Sequence, residues 1–117
     1  MKFNKFIVQV IFASLIPLTL FSQNNSENKD YVPHQGQAGK DVIWVPTPKS
    51  LVQAMLDKAN VGPGDFLVDL GSGDGRIVIE AAKRGAKAIG IEYNPDMVKL
   101  SEEAAKREGV ANKAKFY

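Results

Sequence analysis

Asp69-Leu70-Gly71-Ser72-Gly73-Asp74-Gly75 lies between an apolar run, Phe66-Leu67-Val68, and an amphipathic one, Arg76-Ile77-Val78-Ile79-Glu80-Ala81-Ala82. The order predicts a strand, a glycine turn and a helix. Glycines at alternate positions permit φ > 0 and let a ligand approach the main chain closely. The first turn of the following helix aims unpaired N–H groups into the same place. A second strand-like run, Ala88-Ile89-Gly90-Ile91, ends at Glu92, 21 residues beyond Gly71. At that separation a neighbouring strand presents a carboxylate to ribose hydroxyls. Together the two features predict a site for a nucleoside-containing cofactor.

The elements around this stretch follow from the same kind of reading. Val42-Ile43-Trp44-Val45 is a short apolar run closed by Pro46, with Trp44 expected to pack. Thr47-Pro48 predicts a helix start, with Thr47 as N-cap and Pro48 at the first helical position, where no N–H is needed. That helix carries Leu51, Ala54, Met55 and Lys58 and runs to Asn60, before the breaker Val61-Gly62-Pro63-Gly64-Asp65. Phe66 to Leu70 reads as a strand buried on both faces of a parallel sheet. A helix over 76–84 ends at Gly85, and a strand over 87–91 follows. Asn94-Pro95 starts a third helix, whose face is Met97, Val98, Leu100, Ser101, Ala104 and Ala105 and whose end is Gly109. Residues 113–117 begin a third strand. Helix and strand alternating at this spacing predict an α/β fold, a parallel sheet with right-handed crossovers.

Composition excludes several chemistries. The chain has 117 residues, which bounds it to one domain. It has no cysteine, hence no disulfide and no thiolate metal site. Its one histidine, His34, falls in a polar stretch and is expected to be a solvated loop side chain. The net charge of +2 is carried by Lys2 and Lys5, and the rest is balanced, so no general nucleic-acid surface is indicated.

Lys2 and Lys5 precede a mostly apolar run over residues 6–21, short for a span of roughly 20 apolar residues. Residues 1–22 read as a signal peptide, with an uncleaved membrane anchor as the alternative, and membrane contact through 6–21 follows from either. Residues 23–41 are polar and aperiodic, which predicts a linker. The domain is then 42–117.

The glycine spacing separates two cofactors. A dinucleotide turn reads G-x-G-x-x-G. Here the third glycine comes two positions after the second, Arg76 follows, and Asp69 stands two before the first. A carboxylate there repels a pyrophosphate and suits an ammonium group. The acidic residue with G-x-G-x-G, and the second acidic residue in Gly90-Ile91-Glu92, resemble the first two motifs of the class I S-adenosylmethionine-dependent methyltransferases. Trp44-Val45-Pro46-Thr47-Pro48 ahead of Asp69 to Ile79 is similar to the membrane-associated protein-lysine methyltransferases that include the ATP synthase c-subunit methylating enzymes.

The resemblance covers about residues 42–117 and implies a Rossmann-like, doubly wound sheet of which this is the N-terminal half: a helix and then three β units. Strands that carry acceptor-side residues in the family have no counterpart in this sequence, so the chain is expected to be a fragment, inactive in isolation, and no catalytic residue is assigned. The implied cofactor is S-adenosyl-L-methionine, bound by Asp69, Gly71, Ser72, Gly73, Gly75, Glu92 and Tyr93. Glu92 is implied to accept from the ribose hydroxyls. Gly71 and Gly73 are implied to admit the methionine portion, with Asp69 at its amino end or capping the turn's own N–H groups. Gly75 allows close packing at the helix start. Tyr93 either flanks the adenine or covers the sheet edge. Asp74 is expected to cap the helix. Arg76 opposes the helix dipole and calls for a carboxylate partner, Asp74 or Glu80. The implied partner is a methyl acceptor, with a protein lysine as the candidate. Two other readings stay open: a nicotinamide-dinucleotide oxidoreductase module, and an exported, non-catalytic piece of the fold, since the methyl donor is cytoplasmic and the leader is not.

Overall fold

The computed structural model describes residues 30–117. The signal or anchor expected over 1–22 and the start of the polar stretch lie outside the described residues. Among the described residues no helix is long and apolar enough to cross a membrane.

The order is α1 (Lys49–Lys58), β1 (Phe66–Leu70), α2 (Arg76–Lys83), β2 (Lys87–Ile91), α3 (Pro95–Arg107) and β3 (Ala114–Phe116). The strands form one parallel sheet in the order β1-β2-β3. Register places Asp69 beside Gly90 and Leu70 beside Ile91, and Gly90 beside Phe116. The expected half of a Rossmann-like sheet is therefore present.

The core lies between the sheet and its helices. Val78, Ile79, Ala81 and Ala82 of α2 bury against Ala86, Ala88 and Ala114, and Val52 and Leu56 of α1 close the layer. Small residues on the sheet let α2 settle close to it. The opposite sheet face is open. Phe66, Val68 and Leu70 are 64%, 50% and 78% exposed. The expectation that β1 is buried on both faces is thus corrected: its exposure alternates with the pleat, because the described helices cover one face only.

The two proline starts differ. Asn94 is extended and its side chain accepts the Asp96 N–H at 2.9 Å, with Pro95 opening α3. Thr47 makes no such cap. Pro48 itself is the N-cap of α1, with no side-chain bond, and the Thr47 carbonyl accepts from Arg76 Nη1 at 2.7 Å. The helix starts one residue later than expected, which leaves Thr47 one position ahead of the cap. Helix α1 also stops at Lys58, short of Asn60, which takes a left-handed φ of 53°.

Residues 30–48 carry no helix or strand and run alongside the glycine turn. Gly36 N–H donates to the Trp44 carbonyl at 2.8 Å, and Trp44 N–H to the Gln37 carbonyl at 3.0 Å. These two bonds pinch 36–44 into a closed loop, a strap across the mouth of the turn. Tyr31 Oη accepts from Gln37 Nε2 at 2.6 Å and from Asn94 Nδ2 at 3.4 Å.

Candidate functional site

The site lies at the carboxyl ends of β1 and β2, beside their connections to α2 and α3. Gly71, Gly73 and Gly75 all have positive φ, at 77°, 55° and 77°. Alternate left-handed residues turn the chain sharply from strand to helix, which is why glycines recur at every second position there.

The N–H groups of that turn are already engaged. Those of Gly71 and Ser72 both donate to the Ile91 carbonyl, at 2.8 and 3.0 Å. Gly73 N–H donates to Glu92 Oε2 at 2.8 Å, and Gly75 N–H to the Ser72 carbonyl at 2.9 Å. Glu92 Oε1 accepts the Asn94 N–H at 2.9 Å. The backbone of Glu92 is itself held, since its N–H donates to the Tyr117 carbonyl at 2.8 Å. One carboxylate therefore ties the glycine turn to the start of α3.

Each glycine has its own reason. A Cβ on Gly71 would meet nothing within 4 Å, so this residue offers bare main chain to the site. A Cβ on Gly73 would lie 2.5 Å from Trp44 Nε1. The close approach there is made by an indole of the chain itself. A Cβ on Gly75 would lie 2.7 Å from Phe116 Cε1 and 2.8 Å from Ser101 Cβ, so this glycine lets the start of α2 pack against β3 and α3. Gly90 serves Ser72 in the same way, with a Cβ 2.5 Å from Ser72 Oγ.

Ser72 is buried, and its Oγ is an orphan among the described residues. Asp69 is half-buried. Burial, and then the nearby Glu92 charge, push its carboxyl above the usual range. The turn's N–H groups go elsewhere, so the expectation that Asp69 caps them finds no bond to support it. Asp74 accepts from the Arg76 guanidinium, with Nε–Oδ1 at 2.9 Å, and weakly from the Arg76 N–H at 3.3 Å. This is the carboxylate partner that Arg76 needs at a helix start, and with it Arg76 is held more firmly in its charged form.

A cavity of about 600 Å³ opens beside these groups, lined by residues 39–45, Gly71, Ile91, Glu92 and Tyr93. That size is ordinary for a small-molecule site. Of the residues singled out in the sequence, the fold brings Gly71, Glu92 and Tyr93 to this cavity. Asp69, Ser72, Gly73 and Gly75 are not among the residues that line it. Sequence reasoning missed the strap's Lys40, whose Nζ lies 5.4 Å from the Tyr93 ring centroid. A lone lysine in a polar run gives no signal. Among the described residues no group of three or more His, Cys, Asp or Glu side chains can hold a metal ion.

Comparison with known proteins agrees with this architecture. Residues 69–117 match the family profile described as ANTKMT methyltransferase domain. A protein-lysine N-methyltransferase of Saccharolobus islandicus (strain REY15A) is 41% identical over 86 residues, which cover 72% of this chain and 49% of that protein. The Homo sapiens lysine N-methyltransferase of the ATP synthase c-subunit is 63% identical over 51 residues, 44% of this chain and 22% of that protein. The crystal structure of an RNA methyltransferase from Salinibacter ruber, in complex with S-adenosyl-L-homocysteine, superposes with a TM-score of 0.61 and 53% identity, covering 62% of this chain and 48% of that one. The chain spans about half the length, or less, of these relatives. Its resemblance to S-adenosylmethionine-dependent methyltransferases holds in both sequence and fold.

Proposed function

We propose that this chain, whose glycine turn, second strand and third helix match the ANTKMT methyltransferase domain family, binds S-adenosyl-L-methionine and serves methyl transfer to a protein lysine. The observation that carries the cofactor is the commitment of the turn's amides. Gly71, Ser72, Gly73 and Gly75 donate within the protein, two of them to one carbonyl and one to Glu92. A pyrophosphate needs such amides free, and it would also meet the Asp69 carboxylate at the strand end. A ligand with ribose hydroxyls and cationic groups suits the same place. The nicotinamide-dinucleotide reading therefore has no support.

The residues present fit the cofactor. Glu92 keeps lone pairs for ribose hydroxyls beside its two amide bonds. Gly71 presents open main chain, Tyr93 an exposed ring, and the Ser72 hydroxyl an unused polar atom. Asp69 supplies negative charge at the strand end. When bound, such a cofactor supplies a methyl group on a positively charged sulfur. The chain's own part is to orient it and to keep water from one side. The lysine acceptor is supported by the protein-lysine methyltransferases among the relatives. Isothermal titration of the full chain is expected to show S-adenosylhomocysteine binding and none for NADH. NADH binding alone would overturn the reading.

The apolar run 6–21 after Lys2 and Lys5 supports a second, coarser proposal, that the chain associates with a membrane. Cell fractionation with protease protection tests it. Recovery in the membrane pellet with the domain facing the cytoplasm agrees with a cytoplasmic methyl donor. A protected, exported domain would favour the non-catalytic reading, and a wholly unbound chain would defeat membrane association.

A further inference from the structure

We propose that the strap, residues 36–45, is a gripping wall of the nucleoside site and that Trp44 is its positioning residue. The inference rests on the cofactor reading. The strap supplies more of the cavity's lining than the glycine turn does, residues 39–45 against Gly71. It is built rather than draped. Its mouth is closed by the Gly36–Trp44 and Trp44–Gln37 backbone bonds. Both ends are tethered to elements that carry the site. On one side Tyr31 bridges Gln37 to Asn94, the cap of α3. On the other, Arg76 in the first turn of α2 holds the Thr47 carbonyl.

Trp44 connects this wall to the site's central carboxylate. Its indole lies where a Cβ on Gly73 would be, and Gly73 is the residue whose N–H Glu92 accepts. The indole therefore fixes the turn against which Glu92 is held. A ligand bonded to Glu92 and flanked by Tyr93 has the strap as its facing wall. Lys40, over the Tyr93 ring, closes the outer rim with a cation–π contact. Removing the indole frees Gly73, and with it the geometry of the carboxylate.

The chain holds a single tryptophan, so its emission reports this residue alone. The Lys40–Asp41 bond lies in the strap and is a tryptic site. The full chain is titrated with S-adenosylhomocysteine while emission, cleavage at Lys40 and calorimetric affinity are read together. Binding is expected to change Trp44 emission saturably and to slow cleavage at Lys40. Trp44→Leu is expected to weaken binding about tenfold, and Trp44→Phe to restore most of it, because an aromatic plate still covers Gly73. Tyr31→Phe, which leaves the packing intact, is expected to speed cleavage at Lys40 in the absence of ligand and to weaken binding about threefold. Normal binding with unchanged emission and cleavage, or wild-type affinity in both Trp44→Leu and Tyr31→Phe, overturns the strap inference alone. Absence of any S-adenosylhomocysteine binding by the wild-type chain overturns the cofactor reading and the inference with it.

Discussion

Gly73 N–H donates to Glu92 Oε2 across 2.8 Å, joining two residues that stand on different strand-to-helix connections. The second oxygen of the same carboxylate holds the Asn94 N–H. Glu92 is therefore a brace for the glycine turn as well as a candidate ligand group. Replacing it by Ala is expected to weaken S-adenosylhomocysteine binding by about one to two decades, since a hydrogen bond to a charged group is worth about 1.5–3 kcal/mol. Amide exchange at Gly73 and Asn94 is expected to speed up in the same variant. Unchanged affinity with unchanged exchange would reduce Glu92 to a solvated strand end.

Asp69 predicts a pH dependence. Burial, then Glu92, raises its carboxyl above the ordinary 3.8. Between that value and the raised one the folded chain holds more proton than the unfolded chain, so stability falls as pH rises through the window and is regained as pH falls toward 3.8. A cationic ligand group beside Asp69 favours the ionised form. Affinity for S-adenosylhomocysteine is thus expected to rise with pH across the same window, opposite to stability. Asp69→Asn should flatten both profiles. Parallel titrations of melting temperature and affinity from about pH 4 to 8 check this, and profiles that run in the same direction would contradict it.

Two glycines with the same φ of 77° are expected to respond differently to alanine. Gly71→Ala meets open space and costs only its left-handed backbone, about 1 kcal/mol. Gly75→Ala adds a collision with Phe116 and Ser101, which raises the cost to about 2–4 kcal/mol. Urea titration of the two variants measures the difference. Equal losses would mean that β3 and α3 do not pack on the start of α2 as described.

The parts of the fold that the sequence made legible are those written in local chemistry. Glycines at 71, 73 and 75 and the acidic residue at 92 stand at spacings that suit a strand-turn-helix-strand unit, and Asn94-Pro95 caps α3 by side-chain geometry alone. Thr47-Pro48 has the same local signature, yet its cap is absent. There the helix begins one residue later, with Pro48 rather than Thr47 at the N-cap. The strap was illegible for another reason. A polar, aperiodic stretch leaves no hydrophobic period to read, and its place in the site is set by backbone bonds and one indole. Phe66, Val68 and Leu70 read locally as core residues, and only the count of strands and helices available to cover them tells that one face stays open.

That open layer carries the last prediction. Among the described residues β1 pairs with β2 on one side and with nothing on the other. Its outward face shows Phe66, Val68 and Leu70 in a row, with Ile91 beside them on β2. An unpaired parallel edge offers a line of N–H and C=O groups, and a contiguous apolar face next to it adds a driving force for contact. A chain of residues 23–117, prepared without the apolar run so that this run cannot cause association, is therefore expected to self-associate at micromolar concentration. Val68→Lys places a charge in the middle of the patch without touching the covered face or the site, and is expected to shift the equilibrium toward monomer. Sedimentation velocity of the two proteins measures the change. A wild-type chain that stays monomeric, melts cooperatively and gives a dispersed amide spectrum would show that the edge and its apolar face are tolerated in water.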